Sequence, residues 1–146
     1  MTLNHKYTET AAPKAKRSKL MPVADREDTA QQAFVKWADY AIKHPCRYWF
    51  VPNGLGKLGH FMAAWANKMG LKKGVSDIHV MWPGGFGVIE FKSKTGKLSP
   101  EQEAFLSDVE ACGHLHGVAR SLDDAIALLA AWGCPTRFPV NAGRAG

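Results

Sequence analysis

Residues 74–97 read GVSDIHVMWPGGFGVIEFKSKTGK. Ile78, Val80 and Trp82 alternate with Asp77, His79 and Met81, which is the period of a strand with one buried face. Residues 83–87, PGGFG, read as a turn, and Val88, Ile89 and Phe91 continue as a second strand. The stretch is therefore a hairpin, but it carries charges that a hairpin does not need. Asp77 heads the first strand, and Glu90 and Lys92 lie near the end of the second. Alternation points Glu90 and Lys92 the same way while Ile89 and Phe91 point into the core. A turn at Pro83–Phe86 brings Asp77 opposite the segment from Glu90 to Lys92.

Working outward, residues 99–113 give the clearest helix. Ser99 is its N-cap, Pro100 occupies the first helical position and Gln102 completes a capping box. Gln102, Phe105, Leu106 and Val109 share one face, and Gly113 ends the helix. HLHGVAR, residues 114–120, reads as a further strand, and Ser121 caps a last helix with an inner face of Leu122, Ala125, Ile126, Leu129 and Trp132. Upstream, Ala30, Phe34, Trp37, Ala38 and Ala41 recur at helical spacing, which predicts a helix from Asp25 to Ile42. Its first turn holds Asp25, Glu27 and Asp28, favourable for the helix dipole. Pro45 ends it. RYWFV, residues 47–51, is a strand, PNGLGKLG is a loop, and residues 60–70 are a helix closed by Gly70. The order α, β, α, β, β, α, β, α predicts an α/β fold with a mixed central sheet flanked by helices.

Composition sets the limits. A chain of 146 residues with 46% hydrophobic and 22% charged residues is one soluble-type domain. Its apolar runs fall short of the roughly 18 residues of a membrane span. No apolar segment follows the first charges, so a secretory signal is not expected. Cys46, Cys112 and Cys134 are widely spaced and form no CxxC pair, which fits three reduced thiols in a cytoplasmic protein. Residues 1–24 hold +4 of the net charge of +6 and read as a basic, disordered tail. Residues 25–133 form the folded domain, and the Pro- and Gly-rich residues 134–146 read as a flexible tail. Between 47 and 97 the only acids are Asp77 and Glu90, against Arg47 and seven lysines. A basic middle suits a polyanion such as nucleic acid; a solvated basic surface is the plain alternative.

The chemistry concentrates in the hairpin. Two carboxylates in one partly buried cleft repel each other, and a hard divalent cation such as Mg²⁺ removes the conflict. A lysine beside them orients a water or neutralises charge on a phosphate. A surface ion pair between Lys92 and one acid is the plain alternative. Lys94 and Lys97, in the loop after the second strand, are candidates for phosphate contacts. His79 shares the face of Asp77, where a structural role is the simpler reading. His114 and His116 alternate like metal ligands, but no third partner is evident.

The spacing D-x12-E-x-K resembles the PD-(D/E)XK nucleases. NKMGLKKGVSDIHV, then GVIEFKSKTGKLSPEQEAFLSDVEACGH, is similar to the VRR-NUC family within them, as are the upstream REDTAQQAFVKWA and VPNG. The resemblance covers about residues 25–132. Ser76 stands where the motif usually has proline. The resemblance implies a restriction-endonuclease-like αβββαβ core and an Mg²⁺- or Mn²⁺-dependent endonuclease acting on branched or duplex DNA. It implies Asp77 and Glu90 as metal ligands, the Phe91 carbonyl as a third, and Lys92 as the catalytic lysine. Glu27 matches the family's helix-one acid, with Asp28 as its rival, and Gln102 matches a family glutamine. Asn53, Lys57, Lys72, Lys73, Lys94 and Lys97 are expected DNA contacts, with Asn53 also readable as a turn residue. Small relatives imply a homodimer able to cut four-way junctions, and the size fits a phage-encoded protein. A nucleic-acid-binding module with a decayed site is the competing reading.

Overall fold

A computed structural model of the chain describes residues 27–52 and 59–138. Its elements are α1 (Glu27–Ala41), β1 (Arg47–Phe50), α2 (His60–Lys68), β2 (Ile78–Trp82), β3 (Gly85–Phe91), α3 (Pro100–Ala111), β4 (Leu115–Ala119) and α4 (Leu122–Ala131). This is the expected order. The strands form one sheet in the order β1-β2-β3-β4. β1–β2 and β2–β3 pair antiparallel, whereas β3–β4 pair parallel across the α3 crossover.

The two faces of the sheet bury different side chains. Ile78, Val80, Trp82, Ile89 and Phe91 pack with Phe34, Ala38, Ala125 and Leu129 from α1 and α4. Val88 packs on the other face with Leu106 and Val109 of α3. β3 is therefore covered on both sides, and Gly87 to Phe91 are all buried. Glu90 lies within that run with no exposed surface. α1 buries Phe34, Ala38 and Ala41 through the spacing visible in sequence. The Phe34 ring meets Phe91 with centroids 5.7 Å apart, which ties α1 to the charged end of β3.

The hairpin turn is tighter than the sequence suggested. Trp82 pairs with Gly85, so only Pro83 and Gly84 make the turn, and Gly84 has φ 81°. Proline followed by a positive-φ glycine is the type II signature. Gly85 and Gly87, expected in the turn, belong to β3. A Cβ on Gly85 would lie 2.2 Å from the Trp82 ring, and one on Gly87 would lie 2.7 Å from the Trp132 ring. These glycines make room for the indoles, which stack at 6.3 Å and 9°.

The C-terminal boundary also differs. Cys134 is buried, and the Arg137 N–H donates to the Ala41 carbonyl at 2.8 Å. Cys134 and the Arg137 backbone thus contact the body, although proline and glycine suggested a loose tail from 134. The expected basic tail, residues 1–24, lies outside the described residues. Among the described residues no helix is long and apolar enough to cross a membrane.

Candidate active site

The β2–β3 register creates the site. Ile78 pairs with Ile89, which leaves Asp77, just before β2, beside the Glu90–Lys92 end of β3. The Phe91 N–H donates to Asp77 Oδ2 at 2.9 Å, and the Val51 N–H donates to the Asp77 carbonyl at 2.9 Å. The backbone of Asp77 is thereby held to the end of β1, and its side chain to β3. Glu90 and Lys92 follow on the same side of their strand, as alternation requires.

Lys92 links three elements. Its Nζ lies 3.1 Å from Glu90 Oε1 and 3.6 Å from Glu27 Oε1, in the first turn of α1. Its backbone N–H donates to the Ala119 carbonyl of β4 at 3.0 Å. Glu27, Asp77 and Glu90 each offer a carboxylate oxygen, and these oxygens lie within 4.8 Å of one another. Asp28, the rival of Glu27, is exposed and lies outside this group.

Gln102 serves both the cap and the site. Its Oε1 accepts from the Ser99 N–H at 2.9 Å, while Ser99 Oγ accepts from the Gln102 N–H at 3.2 Å. That completes the capping box. The other end of the amide, Nε2, donates to Glu90 Oε1. Glu90 Oε1 is therefore satisfied by Gln102 and Lys92. Glu90 Oε2 is buried and has no hydrogen-bond partner.

The electrostatics follow from burial. Loss of solvent, reinforced by the neighbouring Asp77 charge, pushes the Glu90 carboxyl up to about 7, against the opposing pull of Lys92. Glu27 is also raised, by burial first, with Lys92 opposing. Three carboxylates against one ammonium leave a formal deficit of two positive charges when all are ionised. An oxygen donor set, a two-charge deficit and an orphaned buried carboxylate oxygen fit a hard divalent cation.

The remaining candidates separate cleanly. His79 lies among aromatic rings, edge-on to Trp49 and Phe86 and stacked at 6.3 Å on Phe105. Burial lowers its pKa, so the neutral imidazole is favoured, consistent with the structural reading. His114 packs edge-on against Phe86, and His116 lies 3.6 Å from Glu110. Neither belongs to a group of three potential ligands among the described residues. Lys72, Lys73, Lys94 and Lys97 are exposed. Asn53 and Lys57 lie outside the described residues.

Gly74 carries a role that sequence reasoning missed. Its φ is 80°, and a Cβ there would lie 2.4 Å from the Glu101 carbonyl oxygen. The segment leading into Asp77 thus crosses the first turn of α3 in direct backbone contact, beside Gln102. The glycine before VSD was visible in sequence, but its neighbour Glu101 is distant in the chain. Ser76, where the family motif usually has proline, is fully buried with an unpartnered hydroxyl.

The VRR-NUC domain family matches residues 25–123. A solved structure described as a VRR-NUC domain protein is similar in fold, with a TM-score of 0.55 and 21% sequence identity. That similarity covers 73% of this chain and 86% of the other. No curated protein matches the chain. With the helix–hairpin–helix order and the Asp77–Glu90–Lys92 constellation on the same segment, the chain belongs to the VRR-NUC family of nucleases.

Proposed function

We propose that this chain is a metal-dependent endonuclease that hydrolyses DNA phosphodiester bonds. The convergence of Glu27, Asp77 and Glu90 beside a single lysine carries the reading. Glu27, Asp77 and Glu90 would hold an Mg²⁺ or Mn²⁺ ion, with the Phe91 carbonyl completing the oxygen set. Such an ion, when bound, supplies Lewis-acid stabilisation of phosphoryl oxygens and lowers the pKa of water.

The chain's own residues do the rest. Gln102 fixes Glu90 Oε1, which leaves Oε2 as the open acceptor. The Phe91 N–H fixes Asp77 Oδ2. Lys92, held between Glu90 and Glu27, donates to the attacking water and neutralises charge developing on the phosphoryl group. Water adds to phosphorus in line, the P–O bond to one sugar breaks, and a phosphomonoester and a free hydroxyl result. Lys72, Lys73, Lys94 and Lys97 supply phosphate contacts, and Asn53 and Lys57 are assigned the same role on the family resemblance alone.

The reading extends to a homodimer acting on branched DNA. α2 exposes Phe61 at 82% and Trp65 at 52%, with Met69 at 70% just past its end. These residues recur every four positions and form one apolar face. β1, an edge strand of the sheet, exposes Trp49 and Phe50. Paired copies burying this face would present two sites to a junction.

A panel of single-stranded, duplex, flap and four-way DNA tests the proposal, together with the mass in solution. The wild type should cut branched DNA with Mg²⁺ or Mn²⁺, and Asp77→Ala should not. Wild-type protein that binds these DNAs yet cuts none would leave only the reading as a binding module.

A further inference from the structure

Arg120 follows Ala119 at the end of β4, and the Ala119 carbonyl accepts the Lys92 N–H. From there its guanidinium reaches the segment after Lys92. Nη1 donates to the Ser93 carbonyl and, at 2.9 Å, to the Gly96 carbonyl. The Gly96 N–H also donates to the Ser93 carbonyl, at 3.2 Å. Residues 93–96 are thus a turn, closed inside by the backbone and outside by the guanidinium.

The turn rests on Lys92 itself. A Cβ on Gly96 would lie 2.9 Å from Ser93 Oγ and 3.5 Å from Lys92 Cδ. Arg120 is anchored in turn. Its N–H donates to Asp124 Oδ2 at 2.9 Å, and the Asp124 N–H donates to Ser121 Oγ at 3.1 Å. The clasp therefore runs from the first turn of α4 to the turn behind the lysine. A charge-assisted donor suits this task, because one Nη carries two hydrogens and serves both carbonyls.

We infer that Arg120 is a positioning residue for Lys92: by clasping the Ser93–Gly96 turn it holds the lysine between Glu90 and Glu27. This rests on the proposed role of Lys92 in phosphodiester cleavage. Arg120 is also exposed, so the competing role is a direct phosphate contact. The two roles separate experimentally. A positioning residue acts on the cleavage rate, whereas a phosphate contact acts on binding and its salt dependence.

The test uses the full chain as wild type, Arg120→Met and Arg120→Lys, with thermal unfolding as the fold control. Single-turnover cleavage is measured on a DNA that the wild type cuts, at saturating Mg²⁺. Binding to the same DNA is measured in chelator over a salt series. Amide exchange is read at Gly96 and Lys92. Arg120→Met should slow cleavage by about 10- to 100-fold, the scale of a small misplacement of a catalytic group. Its affinity and salt slope should stay at the wild-type values, and Gly96 should exchange faster. Arg120→Lys should recover part of the rate, since an ammonium still donates to carbonyls. Wild-type cleavage by Arg120→Met overturns the inference. So does a loss confined to affinity, with a salt slope reduced by about one contact. Failure of the wild type to cut any DNA would sink the endonuclease reading instead. In that case Gly96 exchange still judges the clasp, and unchanged exchange in Arg120→Met refutes it. Should Arg120→Met fail to fold, Arg120→Lys carries the same comparison.

Discussion

Glu90→Gln isolates the electrostatic cost built into the site. The Glu90 carboxyl is pushed from 4.5 up to about 7 by burial and by Asp77. A carboxyl raised on folding binds more protons in the folded than in the unfolded state between those values. Its contribution to stability is therefore full below pH 4.5 and is lost as pH rises through 7. The whole swing is on the order of 3 kcal/mol, of which about 2 to 3 falls between pH 5 and pH 8. Solvent around the neighbouring charges lowers rather than raises this figure, although Glu90 itself has no exposed surface. Glutamine keeps the shape and an acceptor for Gln102 and Lys92 but does not titrate. Urea unfolding in chelator at pH 5 and pH 8 measures the effect. Wild type should lose about 2 to 3 kcal/mol more than Glu90→Gln across that interval. Comparing the two intervals cancels the fixed cost of burying an amide. At pH 8, Mn²⁺ should restore wild-type stability by about 2.7 kcal/mol at a hundredfold excess over its Kd, and should do little for the variant. Parallel pH dependence in the two proteins would refute the electrostatic reasoning.

Four other substitutions, at three positions, address neighbouring links. Gln102→Ala should cost about 2 kcal/mol, because it removes a donor to Glu90 and half of the capping box. Gln102→Glu keeps the cap acceptor but loses that donor, so the cap should survive in unfolding assays while cleavage falls. Gly74→Ala should destabilise by about 2 kcal/mol or more, since φ is 80° and the added carbon meets the Glu101 carbonyl; an unchanged urea midpoint would contradict the contact. Lys92→Met should abolish cleavage and push the Glu90 carboxyl higher still. Its stability cost, about 3 to 5 kcal/mol for an uncompensated buried charge, should be greatest at pH 8 and smaller at pH 5, where Glu90 takes up a proton.

Much of this was legible in the chain because the informative signals were local. Alternation set Ile78, Val80 and Trp82 against Asp77, and Ile89 and Phe91 against Glu90 and Lys92. The Ser99–Gln102 box announced α3. What escaped depends on partners far away in sequence. Gly85 and Gly87 looked like turn residues, but they are strand residues that accommodate Trp82 and Trp132. Gly74 is explained only by Glu101, and Arg120 only by the turn at Ser93–Gly96. Gln102 offered two readings from sequence, cap or site. The amide bonds at both ends, to the Ser99 N–H and to Glu90, because it has an acceptor at one end and a donor at the other.

Plasmid nicking tests the central claim most directly. Wild type and Asp77→Asn, each shown to be folded and to bind DNA, are incubated with supercoiled plasmid in chelator and then with Mg²⁺ or Mn²⁺ added. Wild type should be inactive in chelator and should nick once the ion is supplied, while Asp77→Asn stays inactive throughout. Nicking by wild type in chelator, or by Asp77→Asn at the wild-type rate, would contradict a metal-dependent site built on Asp77, Glu90 and Lys92.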